Sequence, residues 1–156
     1  MIVITGAAGF IGSVLARTMM SLYEGEIVIV DDFSRPEKAS NLNALNGLLQ
    51  VDRGDFFDWL AKGRDIKAIF HIGARTDTTE FDYSVLEELN LEYTKKVWQY
   101  CVENDTTLIY ASSAATYGDG EFGYDDNHEI IDQLQPLNPY GVSKNEFDKW
   151  ALKQGA

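Results

Sequence analysis

The sequence predicts an α/β fold in which a doubly wound parallel sheet carries helices on both faces. Three observations lead to this prediction. Short β-branched apolar runs alternate with segments of helical periodicity, the first run leads into three glycines spaced three residues apart, and the second ends in an acidic residue roughly 20 positions after those glycines. This combination is typical of a Rossmann-type sheet, whose parallel strands are joined by right-handed crossovers.

The first twelve residues predict a buried strand and a phosphate-binding turn. Ile2 to Ile4 form a β-branched run that suits a strand covered on both faces. Gly6 allows the tight turn, Gly9 lets backbone N–H groups approach a pyrophosphate, and Gly12 lets a helix pack closely on the sheet. The spacing of apolar residues predicts that this helix extends to about Leu22, and its N-terminus favours negative charge. The candidate cofactor residues here are Gly6, Gly9, Phe10, Ile11 and Gly12.

A second apolar run predicts a strand at residues 27 to 30, which ends beside two carboxylates. Asp31 lies where an acidic residue takes the ribose hydroxyls of a dinucleotide, and Asp32 follows it. In the turn-rich loop that comes next, Arg35 and Lys38 either lie in solvent or reach a phosphate on the adenosine ribose. The residues themselves leave both alternatives open.

Leucines between residues 42 and 49 predict a short helix, and a weak third strand is expected at 49 to 51. A turn follows at 52 to 56. This region carries the least regular pattern of the first half of the chain.

A fourth strand is predicted at residues 67 to 72. His71 lies within this apolar run and is expected to be a hydrogen-bonded core residue, because no second metal ligand is near it in the sequence. The small residues Gly73 and Ala74 leave room for a group that lies across the C-terminal end of the strand.

A polar, threonine-rich loop at 75 to 82 precedes a long predicted helix from about Tyr83 to Glu103. Asn90 lies in the middle of this helix and is expected to point inward or toward a cleft. Cys101 is the one cysteine of the chain, so it cannot form an internal disulfide and is expected to be a small buried hydrophobe.

A fifth strand at 107 to 111 delivers Ser112 and Ser113 to the C-terminal edge of the sheet, where ligands bind in open α/β folds. The stretch from 118 to 139 contains glycines and prolines and predicts a long irregular loop. A last helix is predicted from Tyr140 to Lys153.

Tyr140 and Lys144 lie four residues apart on this last helix, so both side chains project from one face. An ammonium group close to a phenol stabilises the phenolate and lowers a pKa that begins near ~10. The spacing therefore predicts a tyrosine that serves as a general base near neutral pH.

Three motifs carry a resemblance to a known family. They are Thr-Gly-Ala-Ala-Gly-Phe-Ile-Gly at 5 to 12, Tyr-Ala-Ser-Ser-Ala-Ala-Thr-Tyr-Gly at 110 to 118 and Tyr-Gly-Val-Ser-Lys at 140 to 144. Together they span nearly the whole chain, which on this basis resembles the extended short-chain dehydrogenase/reductase family.

The resemblance implies a nicotinamide enzyme with assigned roles for particular side chains. Tyr140 would exchange a proton with a substrate hydroxyl, Lys144 would tune the tyrosine and hold the ribose, and Ser113 would position the oxygen. The remaining implied cofactor residues are Asn90 near the active site, Asp55 and Phe56 at the adenine, and Arg53 at a basic position of the family, beside Asp31, Asp32, Lys38, Gly73 and Ala74.

Within the family, the chain is most similar to the ADP-L-glycero-D-manno-heptose 6-epimerases, through the run Phe-His-Ile-Gly-Ala-Arg-Thr-Asp-Thr-Thr-Glu-Phe-Asp at 70 to 82. Such enzymes take part in lipopolysaccharide core synthesis. The resemblance implies a nucleotide-sugar substrate, ADP-heptose, whose carbinol is oxidised to a carbonyl and reduced again from the other face.

Relatives in this family are about twice as long as this chain, with a second half that carries most of the sugar pocket and a further acid/base lysine. We therefore interpret residues 1–156 as a truncated NAD(P)-binding Rossmann domain without its C-terminal substrate domain, expected to be inactive alone. The full-length enzyme is expected to be a homo-oligomer.

The sequence carries opposing indications of which nicotinamide cofactor is bound. Asp31 and Asp32 would repel a 2′-phosphate and favour NAD, whereas the resemblance, with Arg35, Lys38 and Arg53 close in sequence, favours NADP. NADP is the prediction, with NAD as the alternative.

Composition excludes several classes of partner. With 25 acidic and 13 basic residues the net charge is −12, which opposes binding of nucleic acid or an anionic membrane through bulk charge. There is no basic region before the first apolar run and no membrane-length apolar segment, so a cytoplasmic protein with no membrane association is expected.

Two other functions are considered. A nucleotide-sugar 4,6-dehydratase would share the fold but needs an acid near the serine, where this chain has Ala114 and Ala115. A non-catalytic NAD(P)-binding module would not need Tyr140, Lys144 and Ser113, which are all present.

Overall fold

The computed structural model describes residues 1–155, which form two compact units. One unit consists of residues 1–73 and 100–111, and is called the sheet unit here. The other comprises 74–99 and 112–155 and is called the helical unit.

All five strands belong to the sheet unit and form one parallel sheet of order β3-β2-β1-β4-β5. The strands are β1 Ile2–Thr5, β2 Ile27–Asp31, β3 Leu49–Asp52, β4 Ala68–His71 and β5 Thr107–Tyr110. The predicted parallel α/β fold is confirmed, and the strand order reverses direction at β1, where chains of this class bind ligands beyond the strand ends.

The two central strands, β1 and β2, consist mainly of β-branched residues and are buried on both faces. Alternate residues of β1 and β2, with Ile4 and Ile29 at their centre, join a core cluster that includes Ala16 of helix α1, Phe10–Leu22. The intervening residues, such as Val3 and Val28, are also fully buried, so the opposite face is covered too.

The predicted helix over 42–49 is wrong. A 3₁₀ turn at Pro36–Lys38 leads into a short α2, Ala39–Leu42, and Gly47 then adopts a left-handed φ of 93°. Leu45 nevertheless reaches the core with no exposed surface, because a turn places it on the sheet as well as a helix would. A further helix, α3 Phe56–Leu60, begins inside the predicted turn at 52 to 56.

The long helix predicted from 83 to 103 is present in three consecutive segments. They are α4 Tyr83–Leu86, a π-helical segment Glu87–Glu92, and α5 Tyr93–Glu103. A π-helical turn inside an α-helix is a local distortion that is frequent at functional sites. Cys101 is buried, as predicted, and burial raises the pKa of its thiol to about 11.

The helical unit ends in α6, Pro139–Lys153, whose first turn is capped by the Asn138 side chain accepting a hydrogen bond from Gly141 N at 2.8 Å. Before it, the stretch 118 to 139 is irregular, as predicted, apart from a 3₁₀ turn at His128–Ile130. Among the described residues, none of these helices combines the length and the apolar character that a membrane span requires.

Candidate functional site

The glycine turn after β1 is closed so tightly that side chains are excluded from it. Gly6 has a φ of +69°, and a Cβ there would lie 2.6 Å from Cα of Gly73 at the end of β4. A Cβ on Gly12 would lie 2.1 Å from the carbonyl oxygen of Gly6. The turn is held by Gly9 N, which donates to Gly6 O at 3.0 Å. Bare backbone therefore lines the start of α1.

Helix α1 begins without a side-chain cap and without an acidic residue in its first turn. The side chains of Phe10 and Ile11 are 79% and 66% exposed, so they do not bury the N-terminal N–H groups. A helix start of this kind, next to a glycine cradle, suits an anion such as a pyrophosphate.

Asp31 connects the glycine turn to the end of β2. Its Oδ2 accepts a hydrogen bond from Ala8 N at 2.9 Å, and its Oδ1 accepts from Asp32 N at 2.8 Å and from Lys38 Nζ at 2.7 Å. Since a carboxylate can accept about four hydrogen bonds, Oδ2 retains capacity for a ribose hydroxyl. Asp31 is 6% exposed, and Lys38 offsets its charge.

Asp32 is paired with the next basic side chain. Hydrogen bonds from Ser34 and Arg35 lower the pKa of Asp32 to about 2. Arg35 Nε lies 3.2 Å from Asp32 Oδ2. Arg35 and Lys38 are each bonded to a carboxylate at the end of β2, and the Arg35 side chain is also exposed to solvent.

The three residues expected at the adenine side occupy the connection from β3 to α3. Arg53 N donates to Asp31 O at 2.9 Å, which places this turn beside the end of β2. Asp55 precedes α3 and accepts a backbone hydrogen bond from Trp59 N. Phe56 is fully buried, and its ring stacks on Trp59.

His71 is a hydrogen-bonded core residue, as predicted. Its Nδ1 lies 2.7 Å from Thr5 Oγ1, and this oxygen also accepts a hydrogen bond from Gly73 N at 3.2 Å. The histidine thus fixes the backbone at the C-terminal end of β4, from which Ala74 continues into the helical unit.

In the helical unit, Asn90 points inward from the π-helical segment and is almost fully buried. Its Oδ1 accepts a hydrogen bond from Arg75 N at 2.7 Å, while its Nδ2 donates to Arg75 O at 3.1 Å and to Ser143 Oγ at 3.0 Å. Asn90 therefore fixes the start of loop 75–82 and the middle of α6 with one amide group.

Tyr140 and Lys144 lie in the first two turns of α6. Lys144 is 3% exposed, and burial lowers the pKa of its ammonium group to about 8. Ser143, between them, donates from Oγ to Tyr140 O at 2.7 Å. The tyrosine and lysine share one row of the helix, as the four-residue spacing predicts.

Ser113 precedes a 3₁₀ turn at Ala114–Tyr117 that packs against α6. Its Oγ accepts a hydrogen bond from Ala115 N at 3.1 Å. A Cβ on Gly141 would lie 2.7 Å from Ala115 O, so the serine segment approaches the beginning of α6 closely. Ser113, Asn90, Tyr140 and Lys144 are thus all in the helical unit.

Three participants in these networks were not predicted from the sequence: the Arg75 backbone, Ser143 and Asp148. Ser112 Oγ donates to Asp148 Oδ2 at 2.5 Å, across 36 residues of sequence. The sequence could have indicated Asp148 through its spacing, because it follows Lys144 by four residues, as Lys144 follows Tyr140.

A family model decides the classification. The model of the NAD dependent epimerase/dehydratase family matches residues 2–156. The chain belongs to this family. The resemblance inferred from the glycine, serine and tyrosine–lysine motifs is thereby confirmed.

Two relatives from this family are similar to the chain over nearly its whole length. The chain is 41% identical over 159 residues to the ADP-L-glycero-D-manno-heptose-6-epimerase of Fusobacterium nucleatum subsp. nucleatum. The matched region covers 99% of this chain and 48% of that relative. It is also 41% identical over 158 residues to the enzyme of the same name from Nitratidesulfovibrio vulgaris, covering 99% and 49%. The chain thus spans about half the length of the curated relatives it matches.

Solved structures agree with the sequence comparison. The crystal structure of Helicobacter pylori ADP-L-glycero-D-manno-heptose-6-epimerase superposes with a TM-score of 0.82 and 27% identity, over 98% of this chain and 50% of that one. UDP-glucuronic acid 4-epimerase from Bacillus cereus, solved in complex with NAD, gives a TM-score of 0.74 at 24% identity over 98% and 52%. The second likeness establishes the shared fold.

The residues of the sheet unit fit the dinucleotide that the family description names. A Cβ at Gly6 or Gly12 would fill the space against the turn, and Asp31 Oδ2, which accepts one hydrogen bond from Ala8 N, has capacity to accept another from a hydroxyl group. Gly6, Gly9, Gly12 and Asp31 would therefore hold the pyrophosphate and the adenosine ribose.

Proposed function

We propose that the natural polypeptide containing this chain is a nucleotide-sugar epimerase, acting on an ADP-glycero-manno-heptose with a bound nicotinamide dinucleotide. The observation that carries the proposal is the buried Lys144 one turn from Tyr140, in a chain 41% identical to heptose epimerases. The proposal concerns the whole polypeptide, because the relatives are about twice as long as this chain.

When bound, the nicotinamide would supply the hydride acceptor and donor through which a sugar carbinol is oxidised and then reduced with inverted configuration. Tyr140 takes the proton of the reacting hydroxyl as that hydroxyl becomes a carbonyl, and it returns the proton in the reverse step. The net reaction consumes no oxidant and leaves the protein unchanged.

Lys144 supports the tyrosine electrostatically. Its buried side chain is one helical turn from Tyr140, where a cation stabilises a phenolate. Ser113 contributes a hydroxyl group whose Oγ accepts from Ala115 N, an arrangement that uses a lone pair and leaves the hydrogen to be donated to the substrate oxygen.

We further propose NADP as the cofactor, with NAD as the alternative. The two carboxylates that would repel a 2′-phosphate are each paired with a cation, Asp31 with Lys38 and Asp32 with Arg35. Arg53 follows the end of β3, with its backbone bonded to Asp31. The pairing supports NADP because each cation offsets the charge of a carboxylate that would repel the 2′-phosphate.

The proposed activity is tested by incubating the cofactor-loaded polypeptide with ADP-heptose and following the inverted stereocentre by NMR. Tyr140→Phe is the matched control, because it removes the proton acceptor and keeps the ring; turnover should fall by roughly 10²–10⁴-fold with cofactor affinity preserved. Folded wild-type protein that binds cofactor but does not interconvert the two ADP-heptose epimers would overturn the substrate assignment. Equal turnover of UDP-glucose would transfer the proposal to another sugar.

A further inference from the structure

The short segment from Ser112 to Ala115 is attached to α6 at both of its ends. At one end Ser112 Oγ donates to Asp148 Oδ2 at 2.5 Å. At the other end the Ala115 carbonyl oxygen lies so close to Gly141 that a Cβ there would be 2.7 Å away. Ser113, the serine of the proposed reaction, lies between these two attachments.

The distance between the two attachment points is nearly the same along the segment as along α6. Gly141 and Asp148 are seven residues apart on α6, which corresponds to about 10 Å along the helix axis. Ser113 is extended, with φ −150° and ψ 141°, so the steps from Ser112 through Ser113 and into the 3₁₀ turn span roughly 9 Å. The segment therefore runs antiparallel to α6, and Ser113 lies between the levels of Asp148 and Gly141, the stretch of the helix that includes Lys144.

Asp148 is placed unusually for a carboxyl group that only stabilises the fold. It continues the row of Tyr140 and Lys144 at a four-residue interval. Its Oδ1 is buried without a hydrogen-bond partner among the described residues, and burial raises the pKa of Asp148 to about 7. An oxygen atom that is buried without a hydrogen-bond partner costs stability, whereas the other oxygen of Asp148 fixes the orientation of Ser112.

We propose that Asp148 is a positioning residue of the epimerase reaction: by accepting the hydrogen bond from Ser112, it holds the Ser112–Ala115 segment along α6 and keeps the Ser113 hydroxyl beside Tyr140 and Lys144. The inference rests on the proposed function. It adds to that function a residue that touches neither substrate nor cofactor and acts through the serine segment.

The test compares Ser112→Ala, Asp148→Ala, Asp148→Asn and the double alanine variant in the natural polypeptide. Each alanine variant should lower kcat by about tenfold, while the KM for the nucleotide sugar and the Kd for cofactor stay within about twofold. Asp148→Asn should recover most of kcat, because the amide oxygen accepts the same hydrogen bond. The double variant should be no slower than the slower single variant, since both remove one interaction.

A readout independent of turnover is the ¹H–¹⁵N NMR signals of Ser113 and Ala115. These should shift in both alanine variants and return toward wild-type positions in Asp148→Asn. Glu146→Ala is the matched control, because Glu146 is an exposed carboxylate on the same helix, 3.9 Å from Lys149, and should change neither kcat nor the two signals.

Wild-type kcat in both alanine variants would overturn the proposal, as would strictly additive effects or unshifted Ser113 and Ala115 signals. If Asp148→Ala does not fold, Ser112→Ala decides the question, because Ser112 is exposed. A wild-type protein without epimerase activity would refute the proposed function instead, and the two amide signals would still report whether Asp148 orients the serine segment.

Discussion

Replacement of Gly12 by alanine should weaken cofactor binding by orders of magnitude with limited loss of fold. The added Cβ would lie 2.1 Å from the Gly6 carbonyl oxygen, whereas real Cβ atoms essentially never come within 3.0 Å of a heavy atom from a residue that is not adjacent in the chain. Both groups are backbone, so no side chain can rotate away. The first turn of α1 must therefore move by about 1 Å relative to the turn.

A displacement of about 1 Å is enough to break the hydrogen bonds on which an anion site depends, since N–H···O distances are confined to about 2.7–3.2 Å. A hydrogen bond to a charged group contributes about 1.5–3 kcal/mol, so the loss of two costs about 3–6 kcal/mol. Cofactor Kd should accordingly rise by roughly 10²- to 10⁴-fold.

The measurement is a titration of wild-type and Gly12→Ala protein with NADPH, detected by cofactor fluorescence, with circular dichroism to establish that both are folded. Gly63→Ala is the control, because Gly63 has a φ of +68° but no atom within 4 Å of the added Cβ. It should lose about 1–2 kcal/mol of stability and none of its cofactor affinity. A folded Gly12→Ala protein that binds NADPH within about threefold of wild type would refute the placement of the pyrophosphate at this turn.

Three further predictions concern charge and buried polarity. Lys38→Met should weaken NADPH binding by about tenfold or more and NADH binding far less, because it leaves the negative charge of Asp31 without its paired cation. Lys62→Met, at an exposed lysine, is the control. Equal losses of affinity for both cofactors would contradict the NADP assignment. The drop in the pKa of Lys144 from 10.5 to about 8 corresponds to about 3 kcal/mol. Because the unfolded state binds more protons between pH 8 and 10.5, wild-type stability should rise across that window, and urea unfolding of Lys144→Met should show neither the rise nor the penalty at pH 7. Asn90→Ala removes three hydrogen bonds and should cost about 2–4 kcal/mol in urea unfolding, and a loss below about 1 kcal/mol would show that the Arg75 and Ser143 contacts are not maintained in solution.

The elements that the sequence predicted correctly are those whose signal is local. Four of the strands come from largely apolar runs, and the glycine turn depends on Gly6 and Gly12, where a Cβ would collide with backbone. The tyrosine and lysine of α6 lie on one row because their spacing equals about one helical turn. Gly12 and Tyr140 were therefore assigned from neighbours within a few positions.

Prediction failed where tertiary packing replaced local periodicity. The leucines between 42 and 49 have helical spacing, yet Gly47 has a left-handed φ that a helix does not contain. Leu45 is buried against the sheet although it does not lie in a helix. Asn90 was predicted to be polar and inward or cleft-facing, but the pattern gave no sign that a π-helical segment would hold it. In each case the deciding contacts come from another part of the chain.

The sequence by itself determined the class of fold, the position of the glycine turn and the placement of Tyr140 and Lys144 on one helix row, since these depend on the order of residues along one or two elements. Only the tertiary structure decided the partners: Lys38 for Asp31, Arg75 and Ser143 for Asn90, and Ser112 for Asp148. The last partner lies 36 residues away. Hydrogen bonds over such separations depend on where the folded chain places two backbones, and burial, which sets the pKa values of Lys144 and Asp148, depends on everything packed around them.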